Sequence, residues 1–389
     1  MRILAIETSC DETAVSIIET SGDFPNATYR VLGNALFSQI DIHREYGGVF
    51  PMVAKREHAK ALVPMLKKAL DAANIEIHNS DPLIEGERKD IEVLLMREDT
   101  LASDLIMFAE IIGIPEIDLI AVTEGPGLEP ALWVGVNFSK ALAMLWKKPL
   151  MGINHMEGHV ISSVFEDDAL RPVTFPLLSL LISGGHTELV LSKGWGAFEL
   201  VGQTRDDAVG EAFDKVARLL GLPYPGGPEI SRLAKQAREE AIVSDVSLPR
   251  PMMNTADCDF SFSGLKTAVM YAVKAKGALT ETDKLGLARE FEDAATEVLV
   301  AKTLRALQLT GAQSLAVGGG VSANMYIREQ FEKMAKENGI TLYFPERSLA
   351  TDNAIMIALA AHAKYTRTPE AATLPHEELV ARGNLALHA

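Results

Sequence analysis

The chain has 389 residues, of which 48% are hydrophobic, enough for a buried core and, by its length, for two lobes. No apolar run approaches the about 18 residues that span a bilayer, and residues 1–6 enter a strand pattern without a signal peptide, so we expect a cytoplasmic protein with no membrane partner. The net charge of −16 argues against unaided binding of nucleic acid, and the only two cysteines, Cys10 and Cys258, are expected to be reduced.

The N-terminal pattern predicts a β-hairpin. An apolar strand at residues 2–6 leads into a polar turn at 7–12, and a second alternating run follows at 13–18. The turn carries Ser9, Asp11 and Glu12. Taken alone it is as compatible with an ordinary connection as with a site.

The next segments complete a predicted N-terminal lobe at residues 1–149. An amphipathic helix at 55–73, which Pro64 kinks or bounds, is followed by a charged surface elaboration at 75–117 that contains an apolar helix at 101–112. A buried strand at 119–122 and a further helix at 136–146 come next. A C-terminal lobe at 150–389 follows, and we expect its last helix to pack back on the first lobe.

Two histidines stand four residues apart in Asn154-His155-Met156-Glu157-Gly158-His159. On a helix this spacing places both rings on one face, where they form half of a metal site. In the H-E-x-x-H pattern of peptidases the Glu directly follows the first His, whereas Glu157 comes two residues after it. Alternatively, His155 and His159 are ordinary buried or solvated helix residues.

A second hairpin is predicted at residues 177–191. Its turn is Ser183-Gly184-Gly185-His186, and the positions of Ser183 and Thr187 correspond to those of Ser9 and Thr13 in the first hairpin. Two similar hairpins half a chain apart indicate two lobes of one plan, each presenting a turn to the cleft between them. The glycines would let backbone N–H groups approach a phosphate.

The remaining elements supply further candidates. We predict a helix from Asp206 to Gly221, a rigid loop at Pro225-Gly226-Gly227-Pro228, and a strand and turn at 259–266. A long helix at 285–307 precedes a strand, glycine loop and helix from Ser314 to Gly339, typical of a nucleotide site. Asp352 precedes a last helix at 355–364, either as its N-cap or as a third metal ligand.

Together these residues resemble the TsaD/Gcp/YgjD family of tRNA N6-adenosine threonylcarbamoyltransferases, bacterial type. Eight motifs occur in the order of that family over nearly the whole chain. They are ETSCDET at 7–13, NHMEGH at 154–159, LISGGHTELV at 181–190, GEAFDK at 210–215, YPGGP at 224–228, FSFSGLKTA at 260–268, GGGVSAN at 318–324 and TDNA at 351–354.

The resemblance implies an α/β, two-lobed actin/sugar-kinase/Hsp70-like (ASKHA) fold with duplicated RNase H-like cores and an interlobe cleft. It implies one divalent metal ion per subunit, iron in preference to zinc, with His155, His159 and Asp352 as ligands. Asp11 and Glu12 match the acidic loop associated with catalysis. The positions matching the pocket for the co-substrate threonylcarbamoyl-AMP are Leu181, Ile182, Ser183, Gly184, Gly185, Asp214, Gly227 and Asn324.

The implied reaction moves the threonylcarbamoyl group from its adenylate to N6 of the adenosine beside the anticodon, in tRNAs that read codons beginning with A. This gives the modified nucleoside t6A and releases AMP. The implied partners are tRNA, an inactive TsaB-like paralogue and a small TsaE-like ATPase. No nucleophilic triad is evident, which favours direct transfer over a covalent enzyme intermediate.

Two departures from the family and three rival functions stay open. Residues 75–117 are about thirty to forty residues longer than is usual there, and Ala350 replaces the usual cysteine before TDNA.

The rival functions are an O-carbamoyltransferase of the same superfamily, a catalytically silent nucleotide-binding scaffold, and a glycoprotease based on the histidine pair.

Overall fold

The computed structural model describes residues 1–78, 82–98, 100–372 and 375–388, and within them two large β-sheets. The predicted insertion at 75–117 therefore includes four residues, 79–81 and 99, that lie outside the described residues. The first sheet contains β1 (Arg2–Glu7), β2 (Glu12–Ser21), β3 (Thr28–Ser38), β6 (Leu119–Gly125), β7 (Leu150–Asn154), β8 (Phe165–Glu166) and β9 (Ala169–Leu170). Between β3 and β6 in the chain, β4 (Ile77–His78) and β5 (Ile114–Pro115) form a small separate pair. The second contains β10 (Leu177–Ile182), β11 (Thr187–Gly194), β12 (Ala197–Gln203), β13 (Ser314–Gly318) and β14 (Thr341–Tyr343).

The two sheets follow one topological plan. The first runs β7-β6-β1-β2-β3 before its short edge strands, and the second runs β14-β13-β10-β11-β12. In each, an antiparallel hairpin is extended by a third antiparallel strand on one side and by two parallel strands on the other. The predicted fold, α/β with duplicated cores, is confirmed. The predicted boundary between the two lobes, near Pro149, stays a prediction. Strands β7 to β9 come after this point in the chain although they belong to the first sheet.

Helices cover both faces of each sheet. They are α1 (Ile40–Arg44), α2 (Pro51–Ala73), α3 (Glu85–Leu94), α4 (Leu101–Ile111), α5 (Glu129–Trp146), α6 (His155–Ser163), α7 (Val209–Leu219), α8 (Gly226–Glu239), α9 (Ser263–Lys276), α10 (Glu281–Thr310), α11 (Met325–Asn338) and α12 (Ala354–Arg367). Helices α2 and α5 share a core with one face of the first sheet, and α12 packs on its other face. Helices α7 to α11 pack on the second sheet, whose other face contacts α6. None of the helices in the described ranges is both long and apolar enough to cross a membrane.

Pro64 does not bound the second helix. Helix α2 starts four residues earlier than predicted and continues through Pro64, whose side chain is exposed. Pro64 has no backbone N–H to donate, so one carbonyl in the preceding turn lacks its helical partner. Because this side of α2 faces solvent, water can donate to that carbonyl instead.

Three predictions around the second core are wrong. The rigid loop at 225–228 is instead the start of α8, because the Asp214 carboxylate accepts a 2.6 Å hydrogen bond from Gly226 N and caps that helix. Helix α7 begins at Val209, so Asp206 lies outside its first turn; the Asp206 carboxylate instead accepts from the backbone N–H groups of Phe262 and Ser263. The strand predicted at 259–266 is a single bridge between Thr204 and Phe260, followed by α9.

Candidate active site

Two imidazoles and one carboxylate meet in the cleft between the sheets. Helix α6 starts where β7 ends, and the Asn154 side chain caps it by accepting from Met156 N at 2.9 Å. The ring centroids of His155 and His159 are 4.7 Å apart. Asp352 Oδ1 lies 3.3 Å from His155 Nε2 and 3.2 Å from His159 Nε2.

The three donors have the spacing of a metal site. The ligand atoms of His155, His159 and Asp352 all lie within 4.8 Å of one another. Ligands bound at about 2.0–2.2 Å around one ion are separated by about 3–3.5 Å, the range of both nitrogen–oxygen distances here. Two imidazoles and a carboxylate, with positions open for substrate, are typical of catalytic iron and zinc sites. The three residues therefore fit such an ion.

Asp352 is not the N-cap of the last helix. The neighbouring Asn353 takes that role, and its side chain accepts from Met356 N at 2.9 Å. Gly158 lets α12 approach α6 closely, since a Cβ there would lie 3.1 Å from Met356 Cγ. Because the cap is supplied by Asn353, the carboxylate of Asp352 can face the histidines.

Glu7 is a site residue that the sequence analysis missed. It ends β1, is fully buried, and its Oε2 lies 3.0 Å from His155 Nδ1 and accepts from the Thr123 hydroxyl at 2.5 Å. A carboxylate can only accept, so His155 Nδ1 carries a hydrogen, which leaves Nε2 as the ring nitrogen that could bind a metal ion held together with Asp352. The only sequence signal is an acidic residue ending a buried strand, in the motif ETSCDET.

The electrostatics of the cluster favour a cation between these groups. Burial lowers the pKa of His155, but Asp352 and Glu7 outweigh it and raise that pKa well above its usual value. Burial raises the pKa of Asp352, yet His155 and His159 hold it far below its ordinary value. The buried Glu7 and the half-buried Asp352 thus face two imidazoles, an arrangement in which a bound ion can replace the proton.

Glu7→Gln is expected to weaken metal binding by about 10–100-fold, because the amide cannot fix the His155 tautomer as a carboxylate does. The measurement is competition with a chelator of known affinity. Glu124→Gln is the matched control, since Glu124 lies near the end of the adjacent strand β6 and pairs instead with Lys364 at 3.7 Å. Equal metal affinity for Glu7→Gln and the control would refute the role of Glu7.

Glu157 does not act on the histidine cluster. Its carboxylate accepts from Arg367 at 2.7 Å, and the side chain is 8% exposed. This ion pair joins α6 to the end of α12. The geometry agrees with the sequence spacing in that Glu157 is not placed as the base of the peptidase pattern.

The acidic loop lies beside the same cluster. Asp11 is buried and Glu12 is half-buried, with the Ser38 hydroxyl 3.3 Å from Glu12 Oε1. Burial raises the pKa of Asp11, and burial together with Asp11 and Asp352 raises that of Glu12 well above its usual value. A raised pKa makes a carboxylate a stronger proton acceptor.

A buried histidine that the sequence analysis missed holds this loop in place. His58 Nε2 donates to the Cys10 carbonyl oxygen at 3.0 Å, so its Nδ1 accepts from the Thr13 hydroxyl at 2.7 Å. Burial lowers the pKa of His58 to about 4, and the ring is therefore neutral at physiological pH. No sequence signal distinguished His58 from other buried residues of α2.

The second turn leaves one backbone donor free. The Ser183 hydroxyl accepts from Gly185 N at 3.3 Å and from His186 N at 3.1 Å. Among the described residues, Gly184 N has no acceptor. A Cβ added at Gly184 or Gly185 would meet no heavy atom within 4 Å. The turn thus has space beside it for a ligand.

Leu181 and Ile182 cannot contact a ligand through their side chains. Both are fully buried in β10, and they point into two different cores. The resemblance placed both in the substrate pocket. Only their backbone groups, next to the Ser183 turn, can reach it.

A cavity of about 980 Å³ adjoins the turn. Of the predicted substrate residues it is lined by Gly184, Asp214, Gly227 and Asn324. It is also lined by Thr351, which precedes Asp352, whereas His155 and His159 are outside its lining. The cavity therefore lies next to the histidine cluster rather than around it.

Two of these polar residues hold helix N-termini at the cavity wall. The Asn324 side chain accepts from Tyr326 N at 2.9 Å and donates to Glu292 at 2.8 Å. Asp214 caps α8 through Gly226, as described above. The Arg238 guanidinium lies 3.4 Å from the centroid of the Tyr326 ring. The wall thus presents helix N-termini and an aromatic–cation pair, both suited to an adenylate.

Comparison with known proteins agrees with this geometry. Residues 30–83 and 104–359 match the model of the TsaD family, described as tRNA N6-adenosine threonylcarbamoyltransferase. A protein of that description from Paraburkholderia xenovorans (strain LB400) is 44% identical over 95% of this chain and 94% of its own length. One from Burkholderia mallei (strain ATCC 23344) is 43% identical over 96% of this chain and 95% of its own length.

Full-length HypF in its phosphate- and nucleotide-bound form aligns with a TM-score of 0.47 and 13% identity, over 70% of this chain and 42% of HypF. Residues 84–103, inside the charged segment at 75–117, lie outside the family match.

Proposed function

The chain belongs to the TsaD family and is a tRNA N6-adenosine threonylcarbamoyltransferase, and we propose that it carries out this transfer at the cluster of His155, His159 and Asp352. The observation that carries the proposal is the meeting of these three side chains beside the free Gly184 N–H and the cavity of about 980 Å³. Threonylcarbamoyl-AMP would occupy the cavity with its reacting carbonyl toward the cluster.

The donor set suits divalent iron or zinc, and we propose iron. A bound ion at this position supplies a Lewis acid for a carbonyl oxygen. His155, His159 and Asp352 would hold it, and Glu7 would orient His155. Activation of the carbonyl is needed because the exocyclic amine of adenine is a poor nucleophile.

The proposed step is direct transfer. N6 of the adenosine forms a bond to the carbamoyl carbon, the bond from that carbon to the phosphate oxygen breaks, and AMP leaves with the electron pair. The amine proton passes to the carboxylate of Asp11 or Glu12, whose raised pKa values favour its uptake. The Gly184 N–H would donate to the departing phosphate.

Two side chains that could form a covalent intermediate are poorly suited to do so. The Ser183 hydroxyl already accepts two backbone hydrogen bonds. Burial and the neighbouring Asp11 raise the pKa of the Cys10 thiol well above its usual value, which suppresses the thiolate. Both observations support direct transfer.

The proposed partners follow from the charge of the protein. In α2, Lys55 pairs with Glu98 at 2.9 Å, and Arg56 and Lys60 share Glu57. Among the described residues, Lys67 and Lys68 have no carboxylate partner. This leaves a small basic surface on a chain of net charge −16, so we propose that a TsaB-like paralogue and a TsaE-like ATPase assist tRNA binding.

The acceptor distinguishes this proposal from an O-carbamoyltransferase. The protein and its proposed helper subunits are incubated with tRNA plus threonylcarbamoyl-AMP, and separately with a small alcohol plus carbamoyl-AMP. We expect product only from tRNA, at N6 of the adenosine beside the anticodon. Product from the alcohol alone would contradict the proposal, and binding of the adenylate without either product would favour a silent scaffold.

A further inference from the structure

A stacked pair of aromatic side chains is exposed on the segment between α1 and α2. The rings of Tyr46 and Phe50 have centroids 6.1 Å apart and planes 24° apart. They are 55% and 54% exposed, and neighbouring Met52 is 60% exposed. Large apolar side chains grouped on a surface mark a binding site more often than single ones do.

The pair lies where the two halves of the molecule meet. It belongs to the segment between α1 and α2, which is tied to the second half by Arg44 Nε donating to the Tyr224 carbonyl at 3.0 Å and by the Arg218 guanidinium donating to the Gly47 carbonyl. Ile40, at the start of α1, and Pro225, next to Tyr224, both line the cavity of about 980 Å³. The segment that bears the rings is therefore attached to one wall of the proposed adenylate site.

The segment presents these rings on a fixed backbone. The His43 carbonyl accepts from Tyr46 N at 3.0 Å and from Gly48 N at 3.3 Å. The buried His43 ring accepts from Phe50 N at 3.4 Å through Nδ1, and its Nε2 donates to Gln39 Oε1 at 3.1 Å. A platform held in this way loses little conformational entropy when a ligand stacks on it.

Charged side chains of both signs lie on the two helices that border this segment, α1 and α2. The side chains of Arg44, Arg56 and Lys60 are 53%, 50% and 57% exposed. Asp41 pairs with Arg44, Glu57 is shared by Arg56 and Lys60, and the exposed Glu45 directly precedes Tyr46, so these three cations are matched by three carboxylates. The segment is thus close to electrically neutral, and RNA bound there would gain affinity from stacking more than from charge.

We propose that Tyr46 and Phe50 form a stacking platform for an unpaired base of the anticodon loop adjacent to the adenosine being modified. The proposal rests on the transfer to tRNA described above and adds the surface that positions the loop. Stacking on aromatic rings accepts any base, and it gains affinity without depending on net charge. Arg56 and Lys60 would contact the neighbouring phosphates.

The test uses an anticodon stem–loop RNA with 2-aminopurine beside the target adenosine. Binding to the wild-type protein at low salt should quench the fluorescence of that base. The double variant Tyr46→Ala/Phe50→Ala should lose most of the quenching and bind about tenfold or more weakly, with an unchanged dependence on salt. Arg56→Ala should instead reduce the salt slope by about 1.

Tyr271→Ala is the matched control, because Tyr271 is an exposed tyrosine, 64% accessible, on α9. This variant should bind the RNA and quench the 2-aminopurine fluorescence as the wild type does. At saturating RNA the Tyr46→Ala/Phe50→Ala variant should retain transfer, with the effect confined to KM.

Unchanged quenching and affinity in a folded double variant would overturn the platform while leaving the transferase proposal intact. Loss of binding to a protein partner with RNA binding preserved would overturn it in favour of a protein-docking surface. Wild-type protein that quenches the RNA but forms no product would contradict the proposed transfer and not the platform.

Discussion

The double variant His155→Ala/His159→Ala is expected to contain no stoichiometric metal and to lose threonylcarbamoyl transfer by at least about 1000-fold. Polarisation of a carbonyl by an ion contributes several kcal/mol to the transition state, and these two rings would supply two of the three proposed protein ligands. The fold should largely persist, since a catalytic metal site contributes less to folding than a closed structural one. The measurements are elemental analysis, thermal melting and transfer to tRNA.

Two further variants make this result interpretable. Asp352→Asn keeps the shape of the third ligand and should lose metal without emptying a buried volume. Glu157→Gln changes the same helix on the side that contacts Arg367, and it should retain both metal and transfer. Full metal content in the folded double variant would show that the ion is bound elsewhere.

Gly184→Val is expected to lower transfer by about 100-fold or more while leaving metal content and thermal stability close to those of the wild type. The position has no neighbour within 4 Å of an added Cβ, so the protein itself accommodates the side chain. A bound adenylate would not, because the valine would occupy the approach to the only backbone N–H of the turn proposed to donate to its phosphate. Gly185→Val should act in the same direction.

The control for this change is Gly194→Val. Gly194 ends β11 and also has no neighbour within 4 Å, but it is outside the lining of the cavity. It should leave transfer and helper-subunit affinity unchanged. Normal transfer by a well-folded Gly184→Val protein would refute the phosphate-turn assignment.

The sequence predicted those features that depend on local pattern. The alternating runs around Ser9 and Ser183 predicted both hairpins, and their similarity predicted the duplicated sheet plan. The spacing of His155 and His159 predicted one helix face, where both rings contact Asp352. The motif order identified the family, which the comparisons confirm.

The features it missed depend on contacts between distant segments. Glu7 reaches His155 only because β1 and β7 flank β6 in one sheet, a neighbourhood that no short window contains. The glycines at 226 and 227 look like a loop until Asp214, from another helix, caps them. The N-cap role of Asp352 was open in the sequence, and the 2.9 Å hydrogen bond from Met356 N to Asn353 decides against it.

The central claim is that this chain transfers the threonylcarbamoyl group to tRNA at the cluster of His155, His159 and Asp352. The most direct measurement is mass analysis of tRNA nucleosides after incubation with threonylcarbamoyl-AMP, helper subunits and protein that is metal-loaded, metal-stripped or reloaded. We predict t6A from the loaded and reloaded protein, and none from the stripped protein or from Asp352→Asn. If the stripped protein and Asp352→Asn each formed as much t6A as the loaded protein, the claim would be contradicted.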